Sequence, residues 1–271
     1  MPELPEVETT CRGIKAHIVG KRVKGVIVRQ PRLRWPITPS LKEMLPGQDI
    51  LNVTRRGKYL LLGAKNGTVI IHLGMSGSLQ LVTSEEAPIK HDHFDIVFNN
   101  GKALRLNDPR RFGAVLWTTK PPLKHALLVS LGPEPLEHNF NADYLYDVSR
   151  KRRVTIKSFI MNSKIVVGIG NIYANEALFR SGIRPTTAAG KISKIRYQQL
   201  VKAIQEVLQA AIAKGGTTLR DFTNGEGKPG YFKQKLLIYG HAGEPCTVCN
   251  KIIKLSQQNQ RATYYCSQCQ R

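Results

Sequence analysis

Four of the five cysteines fall in two pairs, Cys246-x-x-Cys249 and Cys266-x-x-Cys269, with sixteen residues between the pairs. That interval suits a four-thiolate zinc site, in which two knuckles close on one tetrahedral Zn2+ across a hairpin. Four protein ligands leave no open coordination position, so the zinc that this spacing predicts is structural. The hairpin it would hold runs through Ile252-Ile253-Lys254-Leu255, a Gln- and Asn-rich turn, and Arg261-Ala262-Thr263-Tyr264-Tyr265. Arg261 then stands at the turn end of the second strand, where it could project into a groove or be one more solvated charge.

The first residues offer a different chemistry. Met1 precedes a small residue, so its removal would expose Pro2 as a free secondary amine. Such an amine attacks an electrophilic carbon and can collapse to a cationic imine. Glu3 and Glu6 stand three apart and can both lie near that amine at a helix start. The positive end of a helix disfavours a protonated amine there and keeps part of it nucleophilic. Taken alone, Pro2-Glu3-Leu4-Pro5-Glu6 is also simply a good helix N-terminus. Two weaker patterns lead nowhere. His91 and His93 flank Asp92 without further ligands at metal spacing. Gly168-Ile169-Gly170-Asn171 lacks the third glycine and the following strand of a dinucleotide fingerprint, so neither NAD nor FAD is expected. Glycines before a helix do present backbone N–H groups to a phosphate.

The charge balance says what these residues would act on. Lys and Arg number 41 against 19 Asp and Glu, a formal charge of +22. A folded chain this basic calls for a polyanion or an anionic surface. No helix shows a clean Lys/Arg face for a membrane surface, which leaves nucleic acid. With 41% hydrophobic and 22% charged residues the composition is that of a globular protein, excluding a disordered tail or a collagen-like chain. No apolar run approaches the ~18 residues of a membrane span. The acidic N-terminus has no apolar core of a secretory signal, so a cytoplasmic protein with reduced thiols is expected.

These residues need a scaffold, and the periodicity describes one. Residues 3–19 read as a helix: Pro5 suits a first turn, and Val7, Cys11, Ile14 and Ile18 recur at helical spacing. Cys11, the fifth cysteine, falls on that apolar face as a small buried hydrophobe. From about 21 to 119 the period changes to two, with strand-like segments at 23–29, 50–55, 59–62, 69–73, 79–82, 94–98, 103–106 and 114–117. Turn signals such as Lys65-Asn66-Gly67 and Asn99-Asn100-Gly101 separate several of them. The segment Leu131-Gly132-Pro133-Glu134-Pro135-Leu136 breaks both helix and strand. Beyond it the clearest element is a helix over 192–214, where Tyr197, Leu200, Val201, Ile204, Val207 and Leu208 trace one face before Gly215-Gly216 stop it. The expected fold is α+β. An N-terminal antiparallel β-sandwich with a leading helix spans 1–133, a linker 134–151, a helical domain 152–235, and the zinc hairpin 236–271.

Several motifs, spread in order over the whole chain, resemble those of the bacterial formamidopyrimidine-DNA glycosylases. They are Pro2-Glu3-Leu4-Pro5-Glu6-Val7-Glu8-Thr9, Arg56-Gly57-Lys58-Tyr59, His72-Leu73-Gly74-Met75-Ser76-Gly77, Lys90-His91-Asp92-His93, Asp108-Pro109-Arg110-Arg111-Phe112-Gly113, Gly168-Ile169-Gly170-Asn171-Ile172-Tyr173, Gly227-Lys228-Pro229-Gly230 and Gln260-Arg261-Ala262-Thr263. The resemblance implies a bifunctional base-excision repair enzyme that removes oxidised purines from double-stranded DNA and then cuts the strand by β- and δ-elimination. It implies Pro2 as the nucleophile on the sugar C1′ and Glu3 as the acid of ring opening. Lys58 would serve β-elimination at the cleavable phosphates, and Arg261 the 3′-phosphate and δ-elimination. Met75, Arg110 and Phe112 match a wedge that fills the gap left by a flipped nucleotide. His91, Arg152, Lys157 and Asn171 match contacts to the DNA backbone, Asn171 in the turn of a helix–two-turns–helix element. Residues 217–231 resemble a mobile loop that closes over the flipped base. The resemblance also implies one zinc ion held by Cys246, Cys249, Cys266 and Cys269, no membrane partner, and a monomer. Two other readings remain beside it. One is an endonuclease VIII-type enzyme for oxidised pyrimidines, which Leu4 and the Met75/Arg110/Phe112 set disfavour; the other is a non-catalytic zinc-containing nucleic-acid-binding protein.

Overall fold

The computed structural model describes residues 2–216 and 236–271. These residues form two compact units, 2–130 with 214–216 and 131–213 with 236–271. The expected closing loop at 217–231 lies outside the described residues.

The N-terminal unit begins with helix α1 (Leu4–Ile18). It starts where it does because Glu3 and Glu6 form a capping box, with the Glu3 N–H donating to Glu6 Oε2 at 2.9 Å and Pro5 fitting the first turn. Its buried side, Leu4, Val7, Cys11, Ile14 and Ile18, is the helical-period stripe of the sequence. Eight strands follow, one for each period-two segment: β1 (Val23–Val28), β2 (Ile50–Arg56), β3 (Tyr59–Ala64), β4 (Gly67–His72), β5 (Ser78–Thr83), β6 (Asp92–Phe98), β7 (Lys102–Asn107) and β8 (Ala114–Thr118), with a short helix α2 (Leu41–Met44) after β1. They make two antiparallel four-stranded sheets, ordered β1-β6-β7-β5 and β2-β3-β4-β8. One core joins the sheets: Val23, Phe94, Ile96, Leu104 and Leu106 from the first pack with Val53, Leu60, Leu62, Val69, Ile71 and Val115 from the second. The α1 stripe from Val7 to Ile18 closes the same core. This is the expected sandwich with its leading helix.

The second unit contains α3 (Ala142–Ser149), α4 (Ile156–Ile160), α5 (Asn171–Arg180), α6 (Lys194–Ala213) and a hairpin of β9 (Lys254–Gln258) and β10 (Arg261–Tyr265). The segment expected as a linker, 134–151, therefore holds a helix. Asn141 caps it, accepting from the Tyr144 N–H at 2.9 Å, and Leu145 and Ser149 are buried in it. Eight residues are too few to display a period, and the alternating Asp and Tyr of the segment mask its single buried leucine. Helix α6 packs on α3 and α5, and α5 on β10.

Candidate active site and metal centre

Pro2 and Glu3 enter α1 from a buried position, with Glu3 only 1% exposed. Glu6 is buried with them. Two carboxylates are tolerated there because the first turn offers free N–H groups and the positive end of the helix dipole.

Lys58 is carried by the tight hairpin between β2 and β3. Arg56 pairs with Tyr59, leaving Gly57-Lys58 as a two-residue turn in which Gly57 adopts φ +56°. Lys58 is half-buried and close enough to His72 on β4 to act on its protonation. Burial, reinforced by the charges of Lys58 and Arg34, holds the His72 imidazole down to a pKa of about 4. The Gly74 N–H donates to its Nδ1 at 3.0 Å, so the neutral ring carries its proton on Nε2.

His72 lines a cavity of about 690 Å³ together with Arg34, Met75, Arg110 and Phe112. Met75 is 38% exposed and Phe112 42%, so neither belongs to the buried core of this unit. The Arg110 guanidinium lies 5.2 Å from the Phe112 ring centroid. Two loops build this wall and meet at a glycine. Gly74 has φ +66°, and a Cβ on it would fall 2.5 Å from the Phe112 carbonyl carbon and 2.6 Å from the Gly113 nitrogen. Asp108 braces the second loop, its Oδ2 accepting from the Gly113 N–H at 2.7 Å and its carbonyl from the Arg111 N–H at 3.1 Å. Burial raises the Asp108 carboxyl above its ordinary range against the backbone N–H groups that favour its charge. The same carbonyl meets His93 Nε2 at 3.0 Å. His91 precedes β6 in the left-handed region, at φ 75°.

In the second unit Lys157 and Arg261 share a smaller cavity of about 170 Å³ with Ser158, Asn162, Gln258 and Asn259. Arg261 follows a turn in which Asn259 and Gln260 have φ 47° and 59°, as a two-residue hairpin turn requires. Lys157 is a buried cation. It is 1% exposed, and its Nζ donates to the Ala262 carbonyl and to Thr263 Oγ1, each at 2.7 Å. Asn171, the first residue of α5, donates to the same Ala262 carbonyl at 3.0 Å. Both residues thus fix the strand beside Arg261. The basic run Arg150-Lys151-Arg152-Arg153 divides: Arg150 is drawn inward to the Tyr146 and Ile192 carbonyls and stacks on Tyr146 at 3.9 Å, while the other three are exposed.

The four paired cysteines converge, every Sγ within 4.8 Å of the others. Cys246 and Cys269 are 3.9 Å apart and Cys249 and Cys266 3.4 Å, against about 3.8 Å for thiolates 2.3 Å from one tetrahedral ion. Despite burial, the Cys269 and Gln268 N–H groups lower the Cys266 thiol to about 7, while burial and the neighbouring thiols push Cys269 up. The donor set fits a closed, structural site.

A model of the formamidopyrimidine-DNA glycosylase N-terminal domain matches residues 1–115, and one of the formamidopyrimidine-DNA glycosylase H2TH domain matches 131–223. The formamidopyrimidine-DNA glycosylase of Nitrosococcus oceani is 58% identical over 270 residues, covering all of both chains. The chain belongs to the formamidopyrimidine-DNA glycosylase family. Among solved structures, a Lactococcus lactis variant in complex with DNA containing Fapy-dG superposes with a TM-score of 0.93 at 32% identity, covering 99% of each chain. The Lactococcus enzyme with abasic-site DNA gives 0.91, also at 32% identity and 99% of each.

In this DNA glycosylase the residues legible from sequence fall into separate groups. Met75, Arg110 and Phe112 share one cavity, Lys157 and Arg261 another, and Pro2 and Glu3 the start of α1. His72 and Arg34 join the cavity wall as residues whose type alone points to no role there. The available signal was the polar residue ending an otherwise apolar strand, Val69-Ile70-Ile71-His72. Glu176, fully buried on α5, had no sequence signal; its carboxylate accepts from the N–H groups of Leu237, Ile238 and Tyr239 at 2.9–3.1 Å.

Proposed function

We propose that this glycosylase excises oxidised purines, 8-oxoguanine and formamidopyrimidines, from double-stranded DNA through an imine on Pro2, and then nicks the strand. The observation that carries this reading is the pairing of Pro2 with buried Glu3 at the positive end of α1. A helix start opposes protonation of the amine, and a neighbouring carboxyl supplies the proton that the sugar needs. Once Met1 is removed, the Pro2 nitrogen bonds to C1′ and the damaged base departs with the old bonding pair. The nitrogen gives up its N–H proton to the departing base, Glu3 gives a proton to O4′ as the ring opens, and the lone pair regained on nitrogen completes a C1′ iminium. The cation acidifies C2′; loss of a proton there sends its electron pair to expel the 3′-phosphate, with Lys58 at the cleavable phosphates. A second proton loss, from C4′, expels the 5′-phosphate, with Arg261 serving this δ-elimination. Water then hydrolyses the imine and frees the amine.

Base exposure falls to the cavity wall. Met75, long and unbranched, suits the vacated position. Arg110 can hydrogen-bond the orphaned base, and Phe112 can wedge between neighbouring pairs. His91, Arg152, Lys157 and Asn171 contact the DNA backbone, Lys157 and Asn171 from positions that also fix β10 beside Arg261. The ion at Cys246, Cys249, Cys266 and Cys269 is one structural zinc, and the enzyme acts as a cytoplasmic monomer.

Borohydride trapping on a duplex with a single 8-oxoguanine tests the covalent step. Pro2→Gly should lose the trapped adduct while damaged-DNA affinity stays within roughly tenfold. Equal trapping in variant and wild type would remove the mechanism. Faster excision of an oxidised pyrimidine than of 8-oxoguanine would favour the endonuclease VIII-type activity instead.

A further inference from the structure

One ion pair ties the helix that carries Pro2 to the turn that carries Lys58. Arg55, with its side chain only 11% exposed, is the penultimate residue of β2, one before Arg56. Its Nε donates to Glu8 Oε2 at 2.8 Å, and its Nη1 donates to the Gly57 carbonyl at 3.0 Å. Glu8 lies on α1, five residues beyond Glu3, about 7.5 Å along the helix axis. Its other oxygen accepts from exposed Arg12 at 2.7 Å. Against the cost of burial, the hydrogen bonds from Arg55 and Arg12 hold the Glu8 carboxyl below its ordinary range, so it stays ionised at neutral pH.

The fork geometry gives this bridge its meaning. A guanidinium can grip a carboxylate and a carbonyl at once in one fixed plane, whereas an ammonium is a point charge on a flexible stem. The gripped carbonyl belongs to Gly57, the residue at φ +56°. Its peptide links directly to Lys58, so the orientation of that carbonyl sets the direction in which the Lys58 side chain leaves the turn. Gly57 is buried and Lys58 half-buried, and a glycine at φ +56° has no side chain of its own to fix the turn.

We infer that Arg55, anchored by Glu8, is a positioning residue that holds Lys58 in register with the N-terminus of α1. The inference rests on the role of Lys58 proposed above. Arg55 touches no reacting atom; it acts by limiting where Lys58 can stand. Displacement of a catalytic group by about 1 Å costs on the order of 100-fold in rate. The loss should therefore appear in strand cleavage and spare DNA affinity.

A duplex with a preformed abasic site bypasses base removal and reports elimination directly. Single-turnover cleavage is measured for Arg55→Ala, Arg55→Lys, Lys58→Ala and the Arg55→Ala/Lys58→Ala double variant. Affinity for a tetrahydrofuran abasic analogue and the melting temperature are measured beside it. Arg55→Ala and Arg55→Lys should each slow cleavage roughly 10- to 100-fold with affinity within about threefold. The double variant should cleave no more than about twofold slower than Lys58→Ala, because residues acting as one unit are not additive. Arg55→Lys keeps the charge and guards against an unfolded alanine variant; a wild-type cleavage rate in it overturns the inference. So does a double variant showing the product of the single losses, or affinity falling as far as cleavage. Slow cleavage in Lys58→Ala together with normal cleavage in both Arg55 variants removes the clamp and leaves Lys58 its role. Normal cleavage in Lys58→Ala removes the role of Lys58 and the clamp with it.

Discussion

His72 should remain neutral through the whole physiological range, and the reason can be tested through pH. An unfolded histidine titrates near 6.5, and burial beside Lys58 and Arg34 lowers the folded value to about 4. Between those values the unfolded chain binds a proton that the folded chain refuses. The contribution to stability is therefore fully present above about pH 6.5 and is lost as pH falls toward 4. Two and a half pKa units correspond to about 3 kcal/mol at most. The Gly74 N–H adds to the penalty, because protonation at Nδ1 would place two donors face to face. Proton NMR of the His72 ring should show a titration midpoint below about 5. Urea unfolding at pH 7.5 and 4.5 should cost the wild type roughly 2–3 kcal/mol more than His72→Gln, which has nothing to titrate. A midpoint between 6 and 7, or equal losses in both proteins, would refute the reasoning. A neutral His72 also offers the cavity a donor at Nε2 that does not vary from pH 6 to 8, so excision should show no step near 6.5 from this residue.

Other perturbations separate the remaining devices. Glu176→Ala strands three backbone N–H groups around Ile238 and should cost on the order of 3–5 kcal/mol, read by thermal unfolding; a loss under 1 kcal/mol would mean that the segment finds other acceptors. Gly74→Ala places a Cβ 2.5 Å from the Phe112 backbone and forces the two wall loops apart. It should slow excision at least tenfold and weaken 2-aminopurine fluorescence beside the lesion, with metal content unchanged; normal values for both would mean that the loops need not touch. Chelation should unfold the β9–β10 module and abolish DNA binding while the circular dichroism of the β-sandwich survives. Full DNA binding by metal-free protein would make the cysteine cluster dispensable.

How much of this could be read from the residues alone depended on how local each device is. The eight strands were legible because each is a short apolar or alternating run, and two of them, β3 and β6, lead into Asn-Gly turns. The cysteine cluster was legible because a tetrahedral ion imposes a spacing that survives in one dimension. Met75 and Phe112 differ: residue type alone does not tell a core side chain from an exposed one, and only the structure places both on a shared wall with Arg110. Lys157 differs in the opposite direction, a cation whose type suggests the surface and whose partners lie more than a hundred residues away on β10. Glu8 and Arg55 are 47 residues apart, and nothing in either neighbourhood announces the other. Their meeting depends on the α1 stripe packing against β2 in one rotation, and on the β2–β3 register that makes Gly57-Lys58 a turn. A one-residue slip in that register would put Arg55 on the opposite face and cut the bridge. Residues that carry chemistry are constrained by the substrate and recur in recognisable spacings. Residues that aim them are constrained by the packing of this chain, so they become visible only when its strands are in register.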